Sequence, residues 1–136
     1  MSWYETIPHT ADLAIRVHGQ TLEDLFANAA FAMFDVMTRD GSGESRMLTV
    51  SVAAGTVEDL LVEFLAELLA VAETERMAVR ALSVRMPKPG EVTADATGVD
   101  LDTVTVCGPP IKAVTYHRLS VTGDDQGWIA TIVFDV

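Results

Sequence analysis

The chain has 136 residues, of which 49% are hydrophobic and 21% charged, a balance that suits a folded globular domain and excludes an intrinsically disordered segment. A chain of this length can bury roughly 65–70% of its unfolded surface without disulfide or metal staples, so one domain over residues 1–136 is expected. Twenty acidic residues against nine basic ones set the formal charge at −11, which disfavours tight direct binding of a polyphosphate and suits a basic protein partner or a bound cation.

The opening "MSWYETIPHTAD" has no basic segment followed by an apolar one, so export is not expected and the cytoplasm is the expected location. Within it, "IPHTADL" gathers a proline, a histidine, a threonine and an aspartate just ahead of a strand-like run. They either shape a turn or supply part of a site. "LAIRVHG" then alternates Leu13, Ile15 and Val17 with Ala14, Arg16 and His18, the period of a strand with one buried face. "TLEDLFANAAFAMFDVM" follows as a helix, with Thr21 as its N-cap, Asp24 three residues on, and Leu22, Leu25, Phe26, Ala29, Ala30, Met33 and Met37 at helical spacing.

After the polar turn "RDGSGES", Leu48, Val50 and Val52 alternate in a second strand. "TVEDLLVEFLAELLAVAE" is a second helix capped by Thr56. Its apolar run at residues 60–72 is too short to span a bilayer and carries Glu63 and Glu67, so it reads as an amphipathic core helix. Beyond residue 75 the chain is β-rich: "MAVRALSVRM", "EVTADATGV", "VTVCG", "KAVTYHRLSVT" and "GWIATIVFDV" each read as a strand between Pro- or Gly-bearing turns. The expected fold is α+β, with two helices on one face of a mostly antiparallel or mixed sheet of six to seven strands. "WIATIVF" is apolar on both faces and so belongs in a central or well-covered strand.

The lone Cys107 has no partner for a disulfide and no ligand pattern for zinc, and reads as a buried or half-buried packing thiol. Asp12 precedes one strand and Asp135 ends another, with the terminal carboxylate of Val136 next to it. If those strands are neighbours, the three carboxylates converge and call for a divalent cation, since clustered carboxylates repel and hard cations take oxygen ligands. If they are not, Asp12 is a turn residue and Asp135 a solvated strand end. His9 and His117 suit metal ligation or acid–base work, yet hydrogen-bonded structural histidines satisfy the pattern better; His18 reads as solvated. Lys112 is one of two lysines beside seven arginines, and a compact ammonium there suits a carboxylate or phosphate contact. None of the motifs GxSxG, P-loop, GxGxxG or HExxH is present, so no catalytic residue is assigned.

Three stretches taken together, "HTADLAIRVHGQTLEDLFANAAFAMFDVM", "KAVTYHRL" and "GWIATIVFDV", resemble the archease family, which carries His-Thr-Ala-Asp near the start, Lys-Ala-(Val/Ile)-Thr-Tyr-His late in the chain and Phe-Asp-(Val/Ile) at the end. The resemblance implies an α+β fold and a protein that is not itself an enzyme. It implies an accessory activator of an RtcB-type RNA ligase in tRNA splicing or RNA repair, promoting ligase guanylylation and multiple turnover; a chaperone-like role has also been proposed for the family. It further implies a divalent metal, calcium in the usual description, held by Asp12, Asp135 and the Val136 carboxylate. Lys112 joins Asp12 and Asp135 in activating the ligase, and His9, Thr10, Tyr116 and His117 are possible supporting residues. The competing readings are a metal-dependent phosphoester hydrolase using His9 or His117 as base, and a general holdase with a large apolar patch.

Overall fold

Two threonines start the two helices. The hydroxyl of Thr21 accepts the Asp24 N–H at 3.1 Å and opens α1 (Leu22–Asp35); that of Thr56 accepts the Asp59 N–H at 3.1 Å and opens α2 (Val57–Thr74). Each satisfies one of the donors that a helix N-terminus otherwise leaves orphaned. The apolar spacing read from the sequence is the buried face in both. Leu25, Phe26, Ala29, Ala30 and Met33 of α1, and Leu61, Phe64, Leu65 and Leu68 of α2, are closed off from solvent. The helices meet through Phe26 and Phe64, whose ring centroids lie 5.6 Å apart.

The computed structural model describes residues 4–7 and 12–136. The strands are β1 (Tyr4–Ile7), β2 (Asp12–Gly19), β3 (Thr38–Arg39), β4 (Arg46–Ala53), β5 (Met77–Arg85), β6 (Glu91–Asp100), β7 (Thr105–Val106), β8 (Ala113–Val114), β9 (Ser120–Asp124) and β10 (Gly127–Asp135), and a 3₁₀ turn spans Leu101–Thr103. All described pairings are antiparallel. The α+β class with two helices holds. The strands do not form one sheet of six to seven, however; they divide into a five-stranded sheet (β1-β2-β10, with β8 and β9 sharing the far edge of β10), a three-stranded sheet (β4-β6-β5) and the two-stranded ribbon β3-β7. Helix α1 packs on β2 of the first sheet and β5 of the second, while α2 lies along β4, so the helices join the two larger sheets through one core.

Three readings of individual segments change. Strand β1 was not foreseen, because four residues with a single core-packed aromatic, Tyr4, show no alternation to read. "KAVTYHRLSVT" is not one strand. Both Thr115 groups, N–H and hydroxyl, donate to the Val133 carbonyl (3.1 and 2.8 Å), Arg118 takes a left-handed φ of 54°, and the Leu119 N–H closes a turn on the Tyr116 carbonyl, so the chain leaves the ladder between β8 and β9. Cys107 is exposed and not a buried packing thiol: it follows the surface ribbon β3-β7, where its N–H bonds the Met37 carbonyl and its thiol donates to the Asp35 and Val36 carbonyls at the end of α1, at 3.5 and 3.8 Å.

Strand β10 sits between β2 and the β8/β9 edge, as its two-sided apolar pattern requires. Ala130, Ile132 and Phe134 face the helices and Val133 is buried on the other side. The hairpin into it needs Gly127, at φ 128°, where a Cβ would meet the Gly19 carbonyl at 2.6 Å. Among the described residues, no helix is long and apolar enough to cross a membrane.

Candidate functional site at one end of the central strand

The register of β2 against β10 decides whether the carboxylates meet. Ile15 pairs with Ile132 and Leu13 with Phe134, which sets the core face; one step on, Asp135 lies directly opposite Asp12. Side chains directly opposite in an antiparallel pair share a face, with Cβ atoms roughly 4.5–5.5 Å apart. Asp12 and Asp135 therefore project together from the face opposite Phe134 and Leu13. Asp12 is half-buried and Asp135 exposed.

Lys112 reaches the same end from the other edge of β10. Its N–H donates to the Asp135 carbonyl at 2.7 Å, and the next residue, Ala113, pairs with Asp135 in β8. The preceding Ile111 is closed into the core, with its N–H on the Met37 sulfur at 3.3 Å, so the backbone around Lys112 is held on both sides while Lys112 itself is exposed. Val136, beside Asp135, packs half-buried against the core. Of the carboxylates and the lysine singled out in the sequence, Asp12, Asp135, Val136 and Lys112 thus converge on one sheet end.

The supporting residues divide. His9 and Thr10 lie outside the described residues. Tyr116 and His117 sit in the loop between β8 and β9; the His117 N–H donates to the Thr115 hydroxyl at 3.2 Å. Tyr116 is 56% exposed, and partial desolvation, then the charge and hydrogen bond of Asp59 and the charge of Glu63, push its phenol above the ordinary range. Asp59 and Glu63 belong to α2, so the loop is seated on that helix's N-terminal half. In the sequence Asp59 showed only as the residue three after the Thr56 cap; the signal for its second role was the 59, 63, 67 spacing, which lines three carboxylates along one side of α2. His18 is exposed, as expected.

The donor chemistry suits a hard divalent cation. Two carboxylates placed directly opposite repel, and hard cations bind oxygen ligands. Among the described residues, no set of three or more His, Cys, Asp or Glu side chains is grouped to hold a metal. Asp12 and Asp135 are thus a pair, and any further oxygens would come from elsewhere. Asp35, which received no role from the sequence, is engaged structurally: it accepts the Tyr4 hydroxyl at 2.5 Å and lies 3.5 Å from Arg39.

The sequence model of the archease protein family (MTH1598/TM1083) matches residues 4–136. This chain belongs to the archease family. It is 36% identical to protein archease of Methanosarcina barkeri over 140 residues, covering 98% of this chain and 95% of that one. With protein archease of Archaeoglobus fulgidus it shares 35% identity over 136 residues, covering 98% of both. Protein 1598 of Methanobacterium thermoautotrophicum, solved in solution, superposes with a TM-score of 0.74 at 26% identity over 100% of both chains. A Thermotoga maritima structure described as an archease and possible chaperone shares the fold, with a TM-score of 0.67 at 21% identity over 97% of this chain and 96% of that one. In this archease-family member Asp12, the last residue of the His-Thr-Ala-Asp stretch, and Asp135, near the end of the last strand, lie on two strands that are direct neighbours, β2 and β10.

Proposed function

We propose that this archease-family protein is an accessory activator, not itself an enzyme, of an RtcB-type RNA ligase in the cytoplasm. It promotes guanylylation of the ligase and supports multiple turnover in tRNA splicing or RNA repair. The observation that carries this reading is the cross-strand pairing of Asp12 with Asp135, with Lys112 tethered to Asp135 from the other side of β10. Asp12, Asp135 and the Val136 carboxylate would hold a divalent cation, calcium being the expected one, and that cation supplies positive charge able to bind phosphate or carboxylate oxygens.

The chain's own residues do the rest. The β2–β10 ladder presents both carboxylates on one face, so a cation replaces their mutual repulsion with attraction to each. Lys112 adds an ammonium at the same end, a point charge with three donors suited to a phosphate or carboxylate of the partner's pocket. A formal charge of −11 directs this protein toward a basic protein surface and away from RNA, as an activator that touches the ligase and not its substrate requires.

The test is guanylylation of the ligase with GTP and metal, in single and multiple turnover, with and without this protein. Stimulation is expected from the parent chain and is lost in Asp12→Ala and in Lys112→Ala, while both variants keep the circular dichroism of the folded domain. Undiminished stimulation by both variants would falsify the assignment. Phosphoester turnover without any ligase would replace it with a hydrolase.

A further inference from the structure

Strand β4 is eight residues long and, among the described residues, pairs only with β6, so its other edge has no strand partner. No turn or loop backbone group of the described residues hydrogen-bonds to residues 47–53. Proteins usually guard such an edge with lysine, proline, a bulge or a covering segment. "MLTVSVA" has no charge and no proline, and its register with β6 runs without a shift. The opposite edge of the same sheet, β5, is interrupted between Val79 and Ala81. Arg46, the one charge in β4, is turned away: its guanidinium donates to the Glu75 and Arg76 carbonyls at 2.6 and 3.1 Å.

Beside this edge runs an open groove of about 420 Å³ between β4 and α2, lined by Val52, Ala53, Glu63, Ala66, Glu67 and Ala70. The alanines leave room for a second backbone. Glu63 and Glu67 are exposed, and neither has an ion-pair partner among the described residues. With Asp59 they form an i, i+4, i+8 series of like charges that weakens the isolated helix, a loss that a cationic occupant would reverse. Glu63, which lines the groove, also acts with Asp59 on Tyr116, in the loop that follows Lys112 and β8.

We propose that the free edge of β4 and the groove along α2 are a docking surface for an extended, lysine- or arginine-rich segment of a protein partner. The segment adds a strand to β4 and sets alternate basic side chains against Glu63 and Glu67. A second copy of this chain is a poor occupant, because β4-to-β4 pairing would bring two such acidic grooves and two formal charges of −11 together. The proposal rests on the activator reading only in taking the occupant to be a segment of the activated partner.

The test uses a synthetic eight-residue peptide alternating lysine or arginine with valine or threonine, and an acidic peptide of the same pattern. Binding is read by fluorescence anisotropy, and its location by amide hydrogen exchange. The basic peptide is expected to bind and to slow exchange within residues 47–53, and the acidic one not to bind. Glu63→Lys/Glu67→Lys should weaken binding by about tenfold or more. Lysine is as good a helix former as glutamate, so that variant should fold as well as its parent, which thermal unfolding checks. No binding, binding unchanged in the double variant, or protection elsewhere would overturn the proposal, as would dimers through β4 in sedimentation. Asp12→Ala should bind the peptide like the parent, so failure of the ligase assay and failure of this docking surface are separate results.

Discussion

Replacing Asp135 with asparagine changes the sign of its effect with conditions, and that change separates a cation-binding carboxylate pair from a chance pairing. Asp135 and Asp12 are directly opposite in the β2–β10 ladder, and Asp135 is exposed, so their repulsion belongs near the aqueous end of the Coulomb scale. Like charges at such a position destabilise by about 0.2–1 kcal/mol. In a chelating buffer Asp135→Asn should therefore be more stable than the parent by that amount. In calcium the order reverses. A cation at about 100 times its dissociation constant stabilises the state that binds it by about 2.7 kcal/mol, an increment the parent gains and the variant largely loses. Urea unfolding followed by circular dichroism, with and without calcium, measures both differences, and an unchanged m-value shows that stability alone has moved. A parent indifferent to calcium, or a variant that gains as much from it, refutes the cation reading of the pair.

Other consequences follow from the fold and its caps. Thr56→Ala removes the acceptor for the Asp59 N–H and should lower stability by about 1 kcal/mol in urea titration; an unchanged midpoint would mean that packing alone starts α2. Phe64→Ala opens a void at the Phe26 contact between the helices and should cost about 3–5 kcal/mol, read from the same titration. Tyr4 is pushed from 10.0 up to about 12, first by burial and then by its bond to Asp35, so between those values the folded chain keeps a proton that the unfolded chain releases. Stability from this group is complete below pH 10 and declines as pH rises toward about 12. Tyr4→Phe should flatten that decline in urea midpoints taken across the window, and parallel slopes would contradict it.

The part of this protein legible in its sequence is the part governed by local rules. Thr21 and Thr56 announce their helices because a cap involves only residues three apart, and the apolar spacing of α1 and α2 names their buried faces because 3.6-residue periodicity is a property of one segment. The two-sided apolar run of β10 announces a covered strand for the same reason. Asp12, Asp135 and Lys112 were also singled out, by unusual placement and by the resemblance to archease, but their convergence was conditional on which strands are neighbours.

Tertiary structure decided what depends on pairing across the chain. Asp12 meets Asp135 only because β2 and β10, more than a hundred residues apart, lie side by side in a register set by their apolar faces; a slip of one residue would turn each buried side chain outward. The division into separate sheets, the break in "KAVTYHRLSVT" at the Val133 carbonyl, and the exposure of Cys107 follow from partners that no local pattern names. The sequence by itself determined the two helices, the longer strands and which residues carry the charge. Strand order and register, fixed by burying those apolar faces together, decided where the charges meet.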